Sequence, residues 1–186
     1  MGSEMCIRDR KRCSNTVISL YQSFTNLVSR FSQDIALLLV RLMAAKVFLN
    51  SGLTKWNGFL QFNEEKYDLF LYEFFCPDPI REGALLLCDP NTLDYVEGSM
   101  TVSIIEKLAI AAGVMEVVLP ILLILGLLSR LGAAGLIGMT LFIQLAVFPE
   151  WDHWWNPAVW WFLSLLTILS FGPGRLSLDK LFKLEK

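Results

Sequence analysis

Four segments of this chain are apolar enough to cross a lipid bilayer. They cover about residues 34–58, 103–128, 131–148 and 154–171. A transmembrane helix needs roughly 20 mostly apolar residues, and tilt together with flanking aromatic residues makes the two shorter segments sufficient. The whole chain is 54% hydrophobic and only 18% charged, which is too apolar for an ordinary soluble domain. The sequence therefore predicts an all-α integral membrane protein built as a four-helix bundle.

Two segments precede the first predicted span. Residues 1–10, MGSEMCIRDR, resemble a translated sequencing-library adapter, and we set them aside as an artefact. Residues 11–33 carry apolar side chains at helical spacing on one face, which predicts a cytoplasmic amphipathic helix lying in the membrane interface. Docking of this helix on other protein is the alternative. The apolar face consists of Val17, Leu20, Tyr21, Phe24, Leu27, Val28 and Phe31.

The charged residues next to the spans predict the topology. Basic residues are retained on the cytoplasmic side, and here they precede the first span, lie between the second and third, and follow the fourth. The loop 59–101 instead holds nine acidic residues against Lys66 and Arg81. We therefore expect a multi-pass inner (plasma) membrane protein with both termini in the cytoplasm and the loop 59–101 outside. All six tryptophans lie near the predicted outer helix ends, as expected for an interfacial residue.

Several charged and polar side chains fall inside the predicted spans. They are Arg41, Lys46 and Lys55 on the first helix, Glu106 and Glu116 on the second, and Gln144 on the third. Such groups are costly in a bilayer, so they usually face the protein interior and find a partner. From their depths we expect Glu116 to pair with Arg41, or else Lys46, and Lys55 to pair with Glu106. The cluster is either a structural lock or a site for a proton, a quinone head group or a small polar substrate. Extension of Lys46 or Lys55 toward a water layer is the third alternative.

Helical spacing adds detail to this polar cluster. Arg41, Phe48, Gly52, Lys55 and Phe59 fall in one narrow stripe of the first helix. Gly52 would allow another backbone to come close. On the second helix Pro120 cannot donate a hydrogen bond to the carbonyl of Glu116, four residues earlier. The sequence therefore predicts a polar carbonyl beside a carboxylate.

Most sequence motifs for cofactor chemistry are missing. His153 is the only histidine, which excludes a haem held by two histidines of this chain and a histidine-rich metal centre. No CxxC, Walker loop, GxGxxG or serine-hydrolase elbow is present. We assign no catalytic residue and expect no metal or covalently bound cofactor. The nearly balanced charge, 16 basic against 18 acidic residues, gives no reason to expect a nucleic-acid partner.

Two cysteines in the acidic loop are placed for a disulfide. Cys76 and Cys88 are 12 residues apart, and a loop outside a bacterial inner membrane lies in an oxidising compartment. A disulfide there would stabilise the fold by about 3 kcal/mol. Two free thiols and a redox-active pair are the alternatives.

Three stretches, taken in this order and spacing, carry a family resemblance. They are RLMAAKVFLNSGLTKWNGF, then EVVLPILLILGLLSRLGAAGLIGM, then FPEWDHWWNPAVWW followed by FGPGRLSLDKL. Together they resemble the DoxX family of bacterial integral membrane proteins, which implies a four-helix transmembrane domain over residues 34–182. The matching positions are Arg41, Phe48, Gly52, Lys55, Glu116, Gly126, Arg130, Pro149, Gly172, Gly174, Ser177 and Asp179. The long acidic loop departs from the family pattern, so no loop function carries over.

The resemblance leaves three functions open. Some DoxX-like proteins are membrane subunits of thiosulfate:quinone oxidoreductase, and others resemble parts of thiol-stress assemblies. The favoured hypothesis is a membrane subunit that exchanges electrons with quinone while a partner protein at the outer face carries the other chemistry. The alternatives are a non-catalytic scaffold and a small-solute or proton-coupled permease that uses the cluster of Arg41, Lys46 and Glu116.

Overall fold

The computed structural model describes residues 3–58, 61–96 and 98–184. Phe59 of the predicted stripe and Glu97 of the acidic loop lie outside the described residues. The structure is 71% helical and divides into two compact units, Met1–Ala36 and Leu37–Lys186.

The first helix, α1, runs without interruption from Ser3 to Leu53. The amphipathic segment predicted over residues 11–33 belongs to α1. No glycine or proline occurs between residues 3 and 51 to end the helix. Within the first unit, the predicted apolar positions Tyr21, Phe24 and Val28 are exposed.

A folded connection leads from α1 to the next long helix. It starts with an antiparallel hairpin of β1 (Trp56–Gly58) and β2 (Gln61–Phe62). A short helix α2 (Glu64–Asp68) follows and continues as a π-helical segment, Leu69–Phe74. Helix α3 then covers Met100–Leu125.

Three shorter helices and two π-helical segments follow α3. Helix α4 (Ser129–Phe142) continues as the π-helical segment Ile143–Val147. Helix α5 (Trp151–His153), the π-helical segment Trp154–Ala158 and helix α6 (Val159–Phe171) come next. The last described helix is α7, Leu178–Leu181.

Three described helices are long and apolar enough to cross a membrane. They are Ser32–Leu53, Met100–Leu125 and Ser129–Val147. The fourth predicted segment does not meet that length in regular helix, because the backbone of Asn156 is non-helical and α6 has only 13 residues. Thirteen residues rise about 20 Å, less than the roughly 30 Å of hydrocarbon.

Two buried clusters hold the second unit together. The first collects side chains of α1, α3, α4 and α6: Ala44, Ala45, Phe48, Leu123, Ala133, Leu136, Leu165 and Ile168. The second joins the connection to the first half of α3 through Phe70, Leu71, Phe75, Ile105 and Ala109. The predicted loop 59–101 is therefore a packed substructure.

Candidate functional sites in and beside the apolar core

A buried ion pair joins the end of α1 to the middle of α3. The ammonium of Lys55 donates to a carboxylate oxygen of Glu116 and lies 3.3 Å from the hydroxyl oxygen of Ser51. Lys55 is 8% exposed and Glu116 is 5% exposed. The Phe70 ring lies 5.9 Å from the same ammonium, so one residue of the connection covers the pair.

Gly52 brings the two helices together at this pair. A Cβ at position 52 would lie only 2.7 Å from the backbone carbonyl oxygen of Glu116, so only glycine fits there without a shift. Because Pro120 has no N–H, that carbonyl lacks its usual intrahelical donor. The predicted polar carbonyl therefore faces the one residue of α1 that leaves room for it.

The predicted partners of the two charges were wrong. Glu116 pairs with Lys55 rather than with Arg41 or Lys46, and Glu106 is exposed on α3 rather than paired with Lys55. The reason is the register of α1 against α3. Gly52 lies against Glu116, whereas Arg41 is eleven residues away, about 16 Å along the helix.

Arg41 instead lies at the end of the helices opposite to the ion pair, where it binds the C-terminal segment. Its guanidinium donates to the carbonyl oxygens of Pro173 at 2.7 Å and Leu176 at 2.9 Å. Arg41 is 1% exposed, and its Nε has no partner among the described residues. The predicted stripe is confirmed for Arg41, Phe48 and Gly52, which are all buried on α1. Lys55 is also buried but lies in the turn after Leu53, because α1 ends before the predicted boundary near residue 58 and the chain enters β1.

Asp179 joins the same C-terminal segment to the turn between α3 and α4. Its carboxylate accepts hydrogen bonds from the backbone N–H groups of Leu128 at 2.7 Å and Ser129 at 2.9 Å. Its own N–H donates to the carbonyl of Gly126 at 2.8 Å. Leu128, at the N-cap of α4, makes no capping bond with its own side chain. Asp179 therefore caps a helix that begins 50 residues earlier, a role for which the local sequence holds no signal.

Gln144, near the start of the π-helical segment after α4, holds a third cluster of polar groups together. Its amide nitrogen donates to the carbonyls of Phe148 at 2.8 Å and Glu150 at 3.1 Å, and its oxygen lies 2.7 Å from Nδ1 of His153. Because both amide hydrogens are used, the oxygen must accept, and Nδ1 of His153 must donate. The proton of neutral His153 therefore sits on Nδ1, which leaves Nε2 as a base.

Aromatic and cationic contacts surround this histidine. The imidazole stacks on Phe148 with ring centres 4.7 Å apart, and the Arg81 guanidinium lies 4.4 Å from the centre of the same phenyl ring. Burial lowers the pKa of His153 below its ordinary value, Glu150 opposes that shift, and Arg81 adds to it. His153 is therefore mostly neutral near pH 7.

An open pocket of about 380 Å³ lies beside Gln144. Its lining is mainly apolar and consists of Leu141, Gln144, Leu145, Pro149, Trp151 and Trp154. Sequence reasoning singled out Gln144 and the tryptophans separately. The pocket arises because the chain turns back at Pro149 and places two indole rings against the last turn of the α4 segment.

The predicted cysteine pair forms a disulfide, Cys76–Cys88. It closes the segment in which Phe75 and Leu87 are joined by a backbone hydrogen bond of 2.9 Å. Among the described residues, no group of three or more His, Cys, Asp or Glu side chains is placed to hold a metal ion.

Comparison with known proteins gives one match. The family model described as DoxX matches residues 36–149, which is more than half of the chain and includes Arg41, Lys55, Glu116 and Gln144. Neither a curated protein nor a solved structure matches.

Proposed function

The chain belongs to the DoxX family, and on that premise we propose that it is the membrane subunit of a quinone-linked redox assembly. Its family and its three apolar helices make it an integral membrane protein in contact with the lipid bilayer. The proposed assembly is similar to thiosulfate:quinone oxidoreductase or to a thiol-stress complex. The pocket beside Gln144 is the observation that carries the proposal.

The chemistry of this pocket suits a quinone head group. Its volume of about 380 Å³ lies within the roughly 300–1,000 Å³ of small-molecule sites. The indoles of Trp151 and Trp154 offer flat apolar surfaces, and the oxygen of Gln144 keeps a second lone pair for a hydroxyl of a reduced quinone. A quinone, when bound, would accept or release two electrons and two protons, and a partner protein at the outer face would supply or take the electrons.

Photoaffinity labelling tests this assignment. The purified full chain in lipid nanodiscs would be labelled with an azido-ubiquinone of short tail and competed with decylubiquinone. We expect saturable labelling of the pocket residues. Trp151→Ala should lower this labelling several-fold, and Trp160→Ala, at another exposed tryptophan that lies outside the pocket, should leave it unchanged. Labelling that does not saturate, or that is equal in both variants, would overturn the quinone site.

The proposal includes a topology. Four membrane crossings, the last made by the π-helical segment Trp154–Ala158 and α6 together, would place both termini in the cytoplasm of a bacterial cell and the acidic connection 59–101 outside. The basic flanks of the spans and the disulfide Cys76–Cys88 support this arrangement. A reporter that is active only in the cytoplasm should be active when it is fused to the C-terminus. A reporter that is active only outside the cytoplasm should be active when it is fused within 59–101. A C-terminus outside the cytoplasm would contradict the fourth crossing.

The pair of Lys55 and Glu116 favours a second candidate, a proton-coupled permease. A buried carboxylate beside a lysine can exchange a proton with a transported solute. Proteoliposomes containing the chain should then show a proton flux. Glu116→Gln should abolish this flux, and Arg41→Lys should preserve it. Proteoliposomes without proton flux would exclude this candidate, and failure of the quinone test as well would favour the non-catalytic scaffold.

A further inference from the structure

The part of α1 that lies in the second unit has two faces with different surroundings. Its buried face holds the residues of the core and of the ion pair. The opposite face, called here the Lys46 face, consists of Leu39, Leu42, Met43, Lys46, Val47, Asn50 and Leu53, all exposed. At about 100° per residue, Lys46 and Asn50 lie one turn apart near the centre of that face.

The two polar residues of this face lie inside a candidate span. Lys46 is seven residues, about 10 Å, from the end of α1 at Leu53, and five residues, about 7.5 Å, from Arg41, which lies against Gly126 at the end of α3. Neither an ion pair nor a hydrogen bond joins the side chain of Lys46 or Asn50 to any described residue.

This arrangement is opposite to the usual one in a membrane helix. Ionisable side chains within the bilayer are costly, so they face the protein interior and pair there. Arg41 of the same helix follows that rule, and so does Lys55 in the turn after it, since both are buried and hydrogen-bonded. Unless another protein covers them, Asn50 would face lipid and Lys46 would have to extend its side chain along the helix toward water.

We propose that the Lys46 face binds a transmembrane helix of a partner protein, and that this helix carries an aspartate or glutamate at the depth of Lys46. A carboxylate is the group that neutralises an ammonium in the bilayer, and Asn50 supplies a hydrogen bond of the kind that joins membrane helices. The apolar neighbours Leu39, Met43 and Leu53 provide the surrounding contact. This surface goes beyond the proposed redox function and requires only that α1 crosses the membrane.

A second copy of the chain is a poor occupant on grounds of depth. Contacts of Gly52 with Glu116 and of Arg41 with Gly126 make α1 and α3 antiparallel. Glu116 is already paired with Lys55, and the exposed Glu106 lies ten residues beyond it, about 15 Å toward the start of α3. Lys46 lies six residues, about 9 Å, from Gly52 in the opposite direction, so Glu106 and Lys46 differ in depth by about 24 Å.

Energy transfer in vesicles tests the surface with a defined probe. The labelled full chain would be reconstituted with a Leu/Ala transmembrane peptide of about 20 residues carrying one Glu at its centre, or with the same peptide carrying Gln. We expect the Glu peptide to associate at least about fivefold more tightly than the Gln peptide. Lys46→Leu should remove this difference and Lys46→Arg should keep it. Lys107→Leu, which removes an exposed lysine of α3, should also keep it.

Three outcomes would overturn the inference. Equal association of the Glu and Gln peptides would show that Lys46 does not select a carboxylate. Energy transfer between copies of the chain that Lys46→Leu abolishes would assign the face to a homodimer. A photoreactive residue at position 50 that forms adducts only with lipid in host membranes would mean that the face is covered by lipid. Quinone labelling is measured at Trp151, so its failure is separate from each of these.

Discussion

Gly52 of α1 lies directly against the backbone carbonyl of Glu116 in α3, and this contact sets the register of the two helices. The carbonyl is available because Pro120 cannot donate to it, and the close approach is available because residue 52 has no side chain. The same register brings Lys55 level with the Glu116 carboxylate.

Adding one methyl group at this contact should therefore destabilise the protein. Gly52→Ala places a Cβ 2.7 Å from the carbonyl oxygen of Glu116, and overpacking of this kind costs about 1–3 kcal/mol. Thermal unfolding in mild detergent would measure the loss. Gly138→Ala is the matched control, because nothing lies within 4 Å of a Cβ there. Equal stability of the two variants would mean that the helices are not in contact at Gly52.

The ion pair predicts strong coupling between positions 55 and 116. Removing one partner leaves a buried charge uncompensated, so Lys55→Met and Glu116→Gln should each cost about 3–5 kcal/mol, and the double variant should recover part of the loss. Arg41→Gln combined with Glu116→Gln should show losses that simply add. Folded protein recovered from membranes would report both cycles. Coupling at Arg41 instead of Lys55 would contradict the structure.

The bonds of Asp179 predict that the C-terminal segment stabilises the start of α4. Asp179→Ala removes two hydrogen bonds to a carboxylate, and bonds to charged groups contribute about 1.5–3 kcal/mol each. Hydrogen exchange at the N–H groups of Leu128 and Ser129 should rise sharply. Asp152→Ala, at an exposed aspartate, should leave that exchange unchanged. Unaltered exchange in Asp179→Ala would exclude the capping role.

The pKa of His153 predicts how the free energy of unfolding depends on pH. Because His153 is the only histidine, a single imidazole resonance reports its titration. Burial lowers this pKa from its ordinary value of 6.5, so the folded chain binds the proton less readily than the unfolded chain. The associated stability is complete above about pH 6.5 and is lost as the pH falls through the folded-state pKa. Histidine NMR should give a midpoint below 6.5, and His153→Gln should flatten the stability profile in that range. A midpoint above 6.5 would contradict the burial of the imidazole.

Local pattern was sufficient for much of this fold. Runs of apolar residues predicted three spans that the structure bears out, because the length and polarity of a segment decide whether it can cross a bilayer. Helical periodicity placed Arg41, Phe48 and Gly52 on one buried face, since the angle between side chains is a property of the helix itself. The spacing of Cys76 and Cys88 in an acidic loop likewise predicted the disulfide.

Tertiary structure alone decided which of these groups meet. An estimate of depth from sequence assumes that neighbouring spans begin and end at the same depth in the membrane. In the structure the first half of α3 extends past the end of α1 and packs on Phe70 and Phe75. Because of that offset, Lys55 rather than Arg41 lies level with Glu116. Arg41 donates instead to the carbonyls of Pro173 and Leu176. Asp179 was out of reach of local reasoning for the same cause, because its partners are 50 residues away and only packing brings them together. Periodicity within one helix is a local property, whereas register between helices is set by contacts such as Gly52 against Glu116.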